Sequence, residues 1–183
     1  MNKLFVSILT AVLFILLSGC LVKSSQSSPE APCSIETLLI SDTFLPKDIF
    51  YETGSRSSYD PPAKIGVEKI GTSFSSESMG GLIHDIYRFN TENEAQNEVE
   101  QIITYEFEND AQWFSPPITP QISADEYKFS CTQLSAQGVR CRLVAQYRVY
   151  VSDLNVDLIA INYSDLESII EHLDNRLVSC IKP

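Results

Sequence analysis

Positive charge is what this 183-residue chain has least of: 13 lysines and arginines stand against 24 aspartates and glutamates, a formal net charge of −11. Nucleic-acid binding needs clustered Lys and Arg to neutralise phosphates, so no nucleic-acid partner is expected. The same shortage argues against a body lying flat on anionic lipid. Histidine occurs only twice, at His84 and His172. The five cysteines include no Cys-x-x-Cys pair, the spacing that structural zinc and thioredoxin-type chemistry use. Gly-x-Ser-x-Gly elbows and Gly-rich phosphate loops ending in Gly-Lys are missing as well. Neither a metal site nor a cofactor is expected. No apolar run reaches the roughly 20 residues that a helix needs to cross a bilayer.

The longest apolar stretch, from Leu4 to Leu17, follows a lone positive charge at Lys3 and is broken only by Ser7 and Thr10. A basic start, an apolar core and small residues before a cut describe a secretory signal peptide. Its end, Leu17-Ser18-Gly19-Cys20, resembles the lipobox of bacterial lipoproteins. That resemblance implies cleavage before Cys20, a diacylglyceryl group on the Cys20 sulfur and acylation of its amine. Two or more chains anchor stably where one holds only marginally. The expected organisation is therefore a signal peptide over 1–19, a lipidated Cys20 with a Ser/Pro tether over 20–32, and an extracytoplasmic domain over 33–183. The membrane is the expected partner through the anchor, which places the protein in the cell envelope on the extracytoplasmic side of a membrane. The tether has nothing to bury and spans roughly 20 Å as a coil. The chain beyond the tether is long enough for one domain with a real core.

With Cys20 committed to lipid, Cys33, Cys131, Cys141 and Cys180 remain, and an even number in an exported chain favours disulfides. Cys131 and Cys141 lie in two strand-like runs separated by Gln133–Gly138, so a cross-strand bridge is the natural pairing. Cys33 and Cys180 are then left to tie the two ends of the domain together.

Along the chain, Ser34–Ile40 reads as a short helix with Ser34 as N-cap, and residues 51–63 as a turn-rich surface loop. Lys64–Ser75 and Leu82–Asn90 read as antiparallel strands around a Ser78–Gly81 turn. Thr91 with Glu94 three residues on is a capping box, opening a helix whose Ala95, Val99, Ile102, Ile103 and Phe107 form one apolar stripe. Its glutamates, Glu92, Glu94, Glu98, Glu100, Glu106 and Glu108, read as a solvated face. Tyr127, Phe129 and Cys131 mark a third strand, Val139–Val151 a fourth with strict alternation, and Asn155–Asn162 a fifth. Ser164 to Glu167 reads as a second capping box, opening a last helix lined by Leu166, Ile169, Ile170, Leu173, Leu177 and Cys180. These elements predict a single α+β domain: a mostly antiparallel five-stranded sheet with helices packed on it, order α-β-β-α-β-β-β-α, and two disulfides.

Leu38-Leu39, Leu45-Pro46-Lys47-Asp48, Gly80-Gly81 leading into Ile86-Tyr87-Arg88-Phe89, Ala124-Asp125-Glu126-Tyr127, Cys141-Arg142, Ala145-Gln146-Tyr147 and Tyr150-Val151 together resemble uncharacterised bacterial envelope lipoproteins. Their mature parts are PsbP-like or kinase-sensor-like extracytoplasmic domains. The resemblance implies binding or sensing, with no catalytic signature.

Two constellations bear on function. Arg140, Arg142 and Arg148, with Gln146 and Tyr150, fall on the outer side of the long strand, and Arg88 on a neighbouring one. Arg forks can hold a carboxylate or phosphate bidentately, which predicts an anionic ligand or an envelope protein as partner. The competing reading is that they pair with the chain's own surplus acids or guard an exposed sheet. An alternative function is a hydrolase-like enzyme assembled from His84, Asp85 and Asp125, although His84 and Asp85, adjacent on a strand, point to opposite faces. A third is a purely architectural lipoprotein. His172 reads as exposed, and Asn162-Tyr163-Ser164 as a chance glycosylation match. The leading expectation is a non-catalytic binding domain.

Overall fold

The computed structural model describes residues 33–47, 50–57, 67–77, 80–108, 112–134 and 138–181, with no side chain of β1 below except Gly54. The signal peptide, Cys20 and the tether expected over 1–32 lie outside these residues, as do 78–79 of the expected turn and 58–63 of the expected loop.

Six strands form one antiparallel sheet: β1 (Phe50–Ser57), β2 (Glu68–Ser76), β3 (Gly81–Arg88), β4 (Glu126–Gln133), β5 (Val139–Tyr147) and β6 (Tyr150–Leu158). Their order is β1-β2-β3-β6-β5-β4, so two three-stranded meanders meet at β3 and β6. Helix α1 (Glu92–Ile102) links the meanders and α2 (Tyr163–Ile181) closes the described chain. The domain is α+β and antiparallel with both disulfides, as expected. The five expected strands are β2 to β6, and β1 is an addition. Residues 50–57 pair along the edge of β2 despite a polar, Gly-containing sequence, with a register shift between Glu52 and Gly54. Edge pairing supplies the backbone bonds, and Gly54 at φ 154° takes the irregularity.

The alternation over 139–151 conceals a hairpin. Arg148 and Val149 form a two-residue turn between Tyr147 and Tyr150, which are cross-strand partners. Arg148 sits at φ 57°, a left-handed conformation uncommon for a residue with a side chain. Asp125 Oδ2 holds it by accepting from the Arg148 amide at 2.6 Å. The last strand is therefore Tyr150–Leu158, not Asn155–Asn162.

One face of the sheet packs on α2. Leu82, Ile86, Cys141, Leu143, Ala145, Tyr147, Tyr150, Leu154 and Val156 meet Leu166, Ile169, Ile170, Leu173 and Leu177 in the main core. Cys131 and Cys141 face each other in register with Cα atoms 4.0 Å apart. The backbone of Cys131 bonds outward to Phe114, leaving it a non-hydrogen-bonded partner of Cys141, the arrangement in which facing Cα atoms come closest. In the chain-entropy account this ten-residue closure contributes about 3 kcal/mol, and the Cys33–Cys180 bridge, 147 residues apart, about 5 kcal/mol.

The other face packs on α1 through a smaller cluster, Phe89, Ala95, Val99, Phe107, Val144 and Val151. Both bonds of the Thr91/Glu94 capping box are made. Beyond Ile102 the helix widens into a π-helical stretch, Ile103–Glu108, and the Glu106 carbonyl accepts from Trp113 Nε1 at 2.7 Å. The first expected helix, Ser34–Ile40, is a single 3₁₀ turn, Ile35–Leu38, in which Ser34 makes no side-chain cap bond; a second 3₁₀ turn, Asp42–Phe44, follows it. The cap of α2 is Asn162 rather than Ser164: Asn162 Oδ1 accepts from the Ser164 and Asp165 amides, and Asp165 Oδ2 accepts from the Asn162 amide.

Candidate functional site

Alternation along each strand sorts the side chains of the face opposite α2. β2 supplies Lys69, Gly71, Ser73 and Ser75; β3 supplies Gly81, Ile83, Asp85 and Tyr87; β6 supplies Val151, Asp153, Asn155 and Asp157; β5 supplies Arg140, Arg142, Val144 and Gln146. Helix α1 covers the Val144–Val151 end, and charged and small residues fill the rest.

At the centre, Asp85 and Asp153 are direct cross-strand partners, two carboxylates on one rung. Each is 7% and 6% exposed, so each needs a countercharge. Lys69 Nζ lies 3.3 Å from Asp85 Oδ2. Arg142 grips Asp153 with both ends of its fork, at 2.9 and 2.8 Å, and reaches Glu106 at 2.8 Å. Burial opposes the Arg142 charge, but the Asp153 and Glu106 carboxylates more than offset it and hold its pKa above the usual value. Burial, then Asp153 and Asp85, push the Tyr87 phenol up, so that it stays protonated beneath Lys69, whose Nζ sits 4.9 Å from its ring centre. The chain of charges thus runs Lys69, Asp85, Asp153, Arg142, Glu106, with the two adjacent carboxylates held between a lysine and an arginine.

One atom in it is unmatched. Asp85 Oδ1 is buried without a hydrogen-bond partner. It lies over Gly71, where a Cβ would come within 1.9 Å of it, so only glycine leaves this carboxylate its place. Beside it, over the next rungs of β3 and β6, opens a groove of about 260 Å³ lined by Gly81, Ile83, Arg140, Asn155 and Asp157. Its mouth is edged by the Arg140–Asp157 pair, in which Nε donates to Oδ1 at 2.7 Å.

No known protein-family pattern matches this chain, and no curated protein does. A solved structure does resemble it: the extracellular domain of PknH from Mycobacterium tuberculosis, with a TM-score of 0.54 at 12% identity, over 82% of this chain and 97% of that one. At that identity the likeness concerns fold alone. The expected similarity to kinase-sensor-like extracytoplasmic domains holds at that level, and the two disulfides fit an oxidising, extracytoplasmic compartment.

The arginines expected to form one row are separated. Arg142 is committed to Asp153 and Glu106, Arg148 sits in the hairpin turn against Glu92, and Arg88 pairs with Glu68. Arg140 alone reaches the groove. Tyr150 leaves the row entirely. The hairpin reverses which parity faces α2, so Tyr150 lies in the main core, 1% exposed, its OH donating to the Cys33 carbonyl at 3.1 Å. Glu92, Glu94 and Glu106, expected in water, pair or cap. His84, Asp85 and Asp125 do not converge: His84 faces the core, Asp85 the opposite side, and Asp125 the hairpin turn. Among the described residues no three His, Cys, Asp or Glu side chains gather as metal ligands. Asp153, Asp157 and the Gly71–Asp85 pair were not anticipated. Their sequence signal is the spacing of Asp153, Asn155 and Asp157 at alternate positions on one strand.

Proposed function

We propose that the chain is a lipid-anchored, extracytoplasmic binding domain without catalytic chemistry of its own, which takes a small polar ligand into the groove beside Asp85. The observation that carries this reading is a hollow of about 260 Å³ over the rungs of β3 and β6 next to the Asp85–Asp153 rung, on a face whose buried charges include a carboxylate oxygen without a partner. Every described arginine on this face already has a carboxylate partner, so an anion would have to displace Asp157 from Arg140. A ligand bearing a donor (an amine, an amide N–H or a hydroxyl) can instead donate to the Asp157 carboxylate or the Asn155 side chain that line the groove, without breaking a pair. Export and acylation at Cys20 supply the location in this reading, and the acidic body is held off the lipid by the tether.

The test is thermal unfolding of the full chain against a panel of small amines, amides and sugars, with Asn155→Phe as the filled-groove variant. A panel member that stabilises the native chain and leaves the variant unmoved supports the reading. A flat panel at millimolar concentrations, or stabilisation that survives Asn155→Phe, overturns it.

A further inference from the structure

The segment from Cys33 to Lys47 crosses the α2 side of the domain as a strap. It buries Ile35, Leu38, Ile40 and Leu45. Its own backbone bonds are local, within the two 3₁₀ turns. Three side-chain bonds attach it to the body: Tyr150 OH donates to the Cys33 carbonyl, Arg176 Nη1 to the Leu39 carbonyl at 2.8 Å, and the Ile40 amide donates to His84 Nδ1 at 3.1 Å. The chain's other histidine touches the strap too. His172 stacks on Phe44 with ring centres 3.5 Å apart, and the Arg176 guanidinium lies 5.8 Å from the centre of the Phe44 ring. Both histidines of a two-histidine chain therefore contact this one short segment.

The Ile40 bond fixes the state of His84. A backbone N–H can only donate, so Nδ1 must present its lone pair, and the ring proton sits on Nε2, 3.0 Å from Ser152 Oγ. A second proton would land on Nδ1 and set two donors face to face. Nothing nearby would welcome the charge. Around the ring stand Thr72 from β2, Ser152 and Leu154 from β6, Ile40 from the strap and Arg176 from α2; the only charge that bears on it is the positive Arg176. Asp85, its neighbour in sequence, is on the far side of the sheet.

We propose that residues 34–47 are an acid-released strap: the neutral His84 imidazole latches it through the Ile40 amide, and protonation unlatches it while the Cys33–Cys180 bridge keeps its start attached. Burial first, and Arg176 second, lower the His84 pKa from its ordinary 6.5 to about 3. A histidine held neutral contributes its stabilisation in full above 6.5 and loses it as pH falls from 6.5 towards 3. In that window the ratio of open to closed strap rises about tenfold per pH unit. His172 contributes in the same direction, since burial and Arg176 lower its pKa as well.

Amide hydrogen exchange on the full chain tests this between pH 7 and 4.5, corrected for intrinsic rates. Protection at Ile40 and along 34–47 falls about tenfold per pH unit below 6, while the β5 and β6 amides keep theirs. His84→Asn retains an acceptor for the Ile40 amide and cannot charge, so its strap protection stays flat with pH; His172→Phe keeps the ring contact and most of the slope. Should His84→Asn fail to fold, nitrogen NMR of the native imidazoles decides: the His84 ring keeps its proton on Nε2 alone and gains a second only well below 6.5, while strap exchange already rises as pH falls. A pH-independent Ile40 amide, a slope shared with β5 and β6, a slope persisting in His84→Asn, or a His84 ring that titrates near 6.5 with the strap unmoved overturns the proposal.

Discussion

The two faces of this sheet solve burial in opposite ways. Towards α2 the strands present Leu82, Ile86, Leu143, Leu154 and Val156, and packing needs only shape. The buried Asp174 on that side is satisfied: it accepts from Tyr147 OH at 2.8 Å and from the Ser123 amide at 2.7 Å. Towards α1 the same strands present Asp85, Asp153, Asp157, Lys69 and Arg142, and each is tolerable only because of another. The first face is robust to a single loss, apart from the space left behind. The second is a chain in which removing one member leaves its partner buried and charged. A face built that way, left partly uncovered, is the one on which the proposed ligand would sit.

The largest effect expected on that contrast comes from Arg142. Its side chain is 13% exposed and Asp153 beneath it 8%. Arg142→Met should cost about 3–5 kcal/mol in denaturant unfolding, chiefly from the stranded Asp153 carboxylate. Adding Asp153→Leu should recover most of that loss. Arg140→Met removes a chemically identical pair whose arginine is 47% exposed, and should cost about 1 kcal/mol or less. Equal losses for the two arginines would break the distinction between the covered and open halves of this face.

A middle-sized effect belongs to Gly71. A methyl there meets Asp85 Oδ1 at 1.9 Å and Cγ at 3.1 Å, so Gly71→Ala must turn the carboxylate away from its place. Roughly 1–3 kcal/mol is expected, by analogy with overpacking in a filled interior. In an Asp85→Ala background the same substitution should be nearly neutral, and the difference between backgrounds measures the coupling. A cost that persists without Asp85 would place the constraint on the backbone, and the orphan oxygen would lose its explanation.

These contrasts also show which features can be read from residues in order. Both disulfides were legible because alternation places Cys131 and Cys141 on the packed side, and the ends of the domain leave only Cys33 and Cys180. The opposite orientations of His84 and Asp85 follow from adjacency on a strand. Tyr150 was misplaced because a two-residue hairpin reverses parity, and Val149 and Val151 continue the apolar rhythm across it. Val151 is apolar for a different reason, its contact with α1. The fate of the arginines was not legible at all. Asp153, Asp157, Glu92 and Glu106 reach them only after β5 folds back on β6 and α1 crosses the sheet. Strand β1 was hidden because edge pairing asks little of side chains, so a polar run serves as well as an apolar one.

The smallest effect lies at the start of α2 and separates the expected cap from the observed one. Asn162 Oδ1 takes two amides that would otherwise have no partner in the first turn, at 2.8 and 3.1 Å. Asn162→Ala should therefore cost about 1 kcal/mol in melting experiments, and Ser164→Ala close to nothing. Ser164 contributes its backbone amide to the cap, which alanine retains. A destabilised Ser164→Ala with an indifferent Asn162→Ala would return the cap to the position that the spacing of Ser164 and Glu167 suggests.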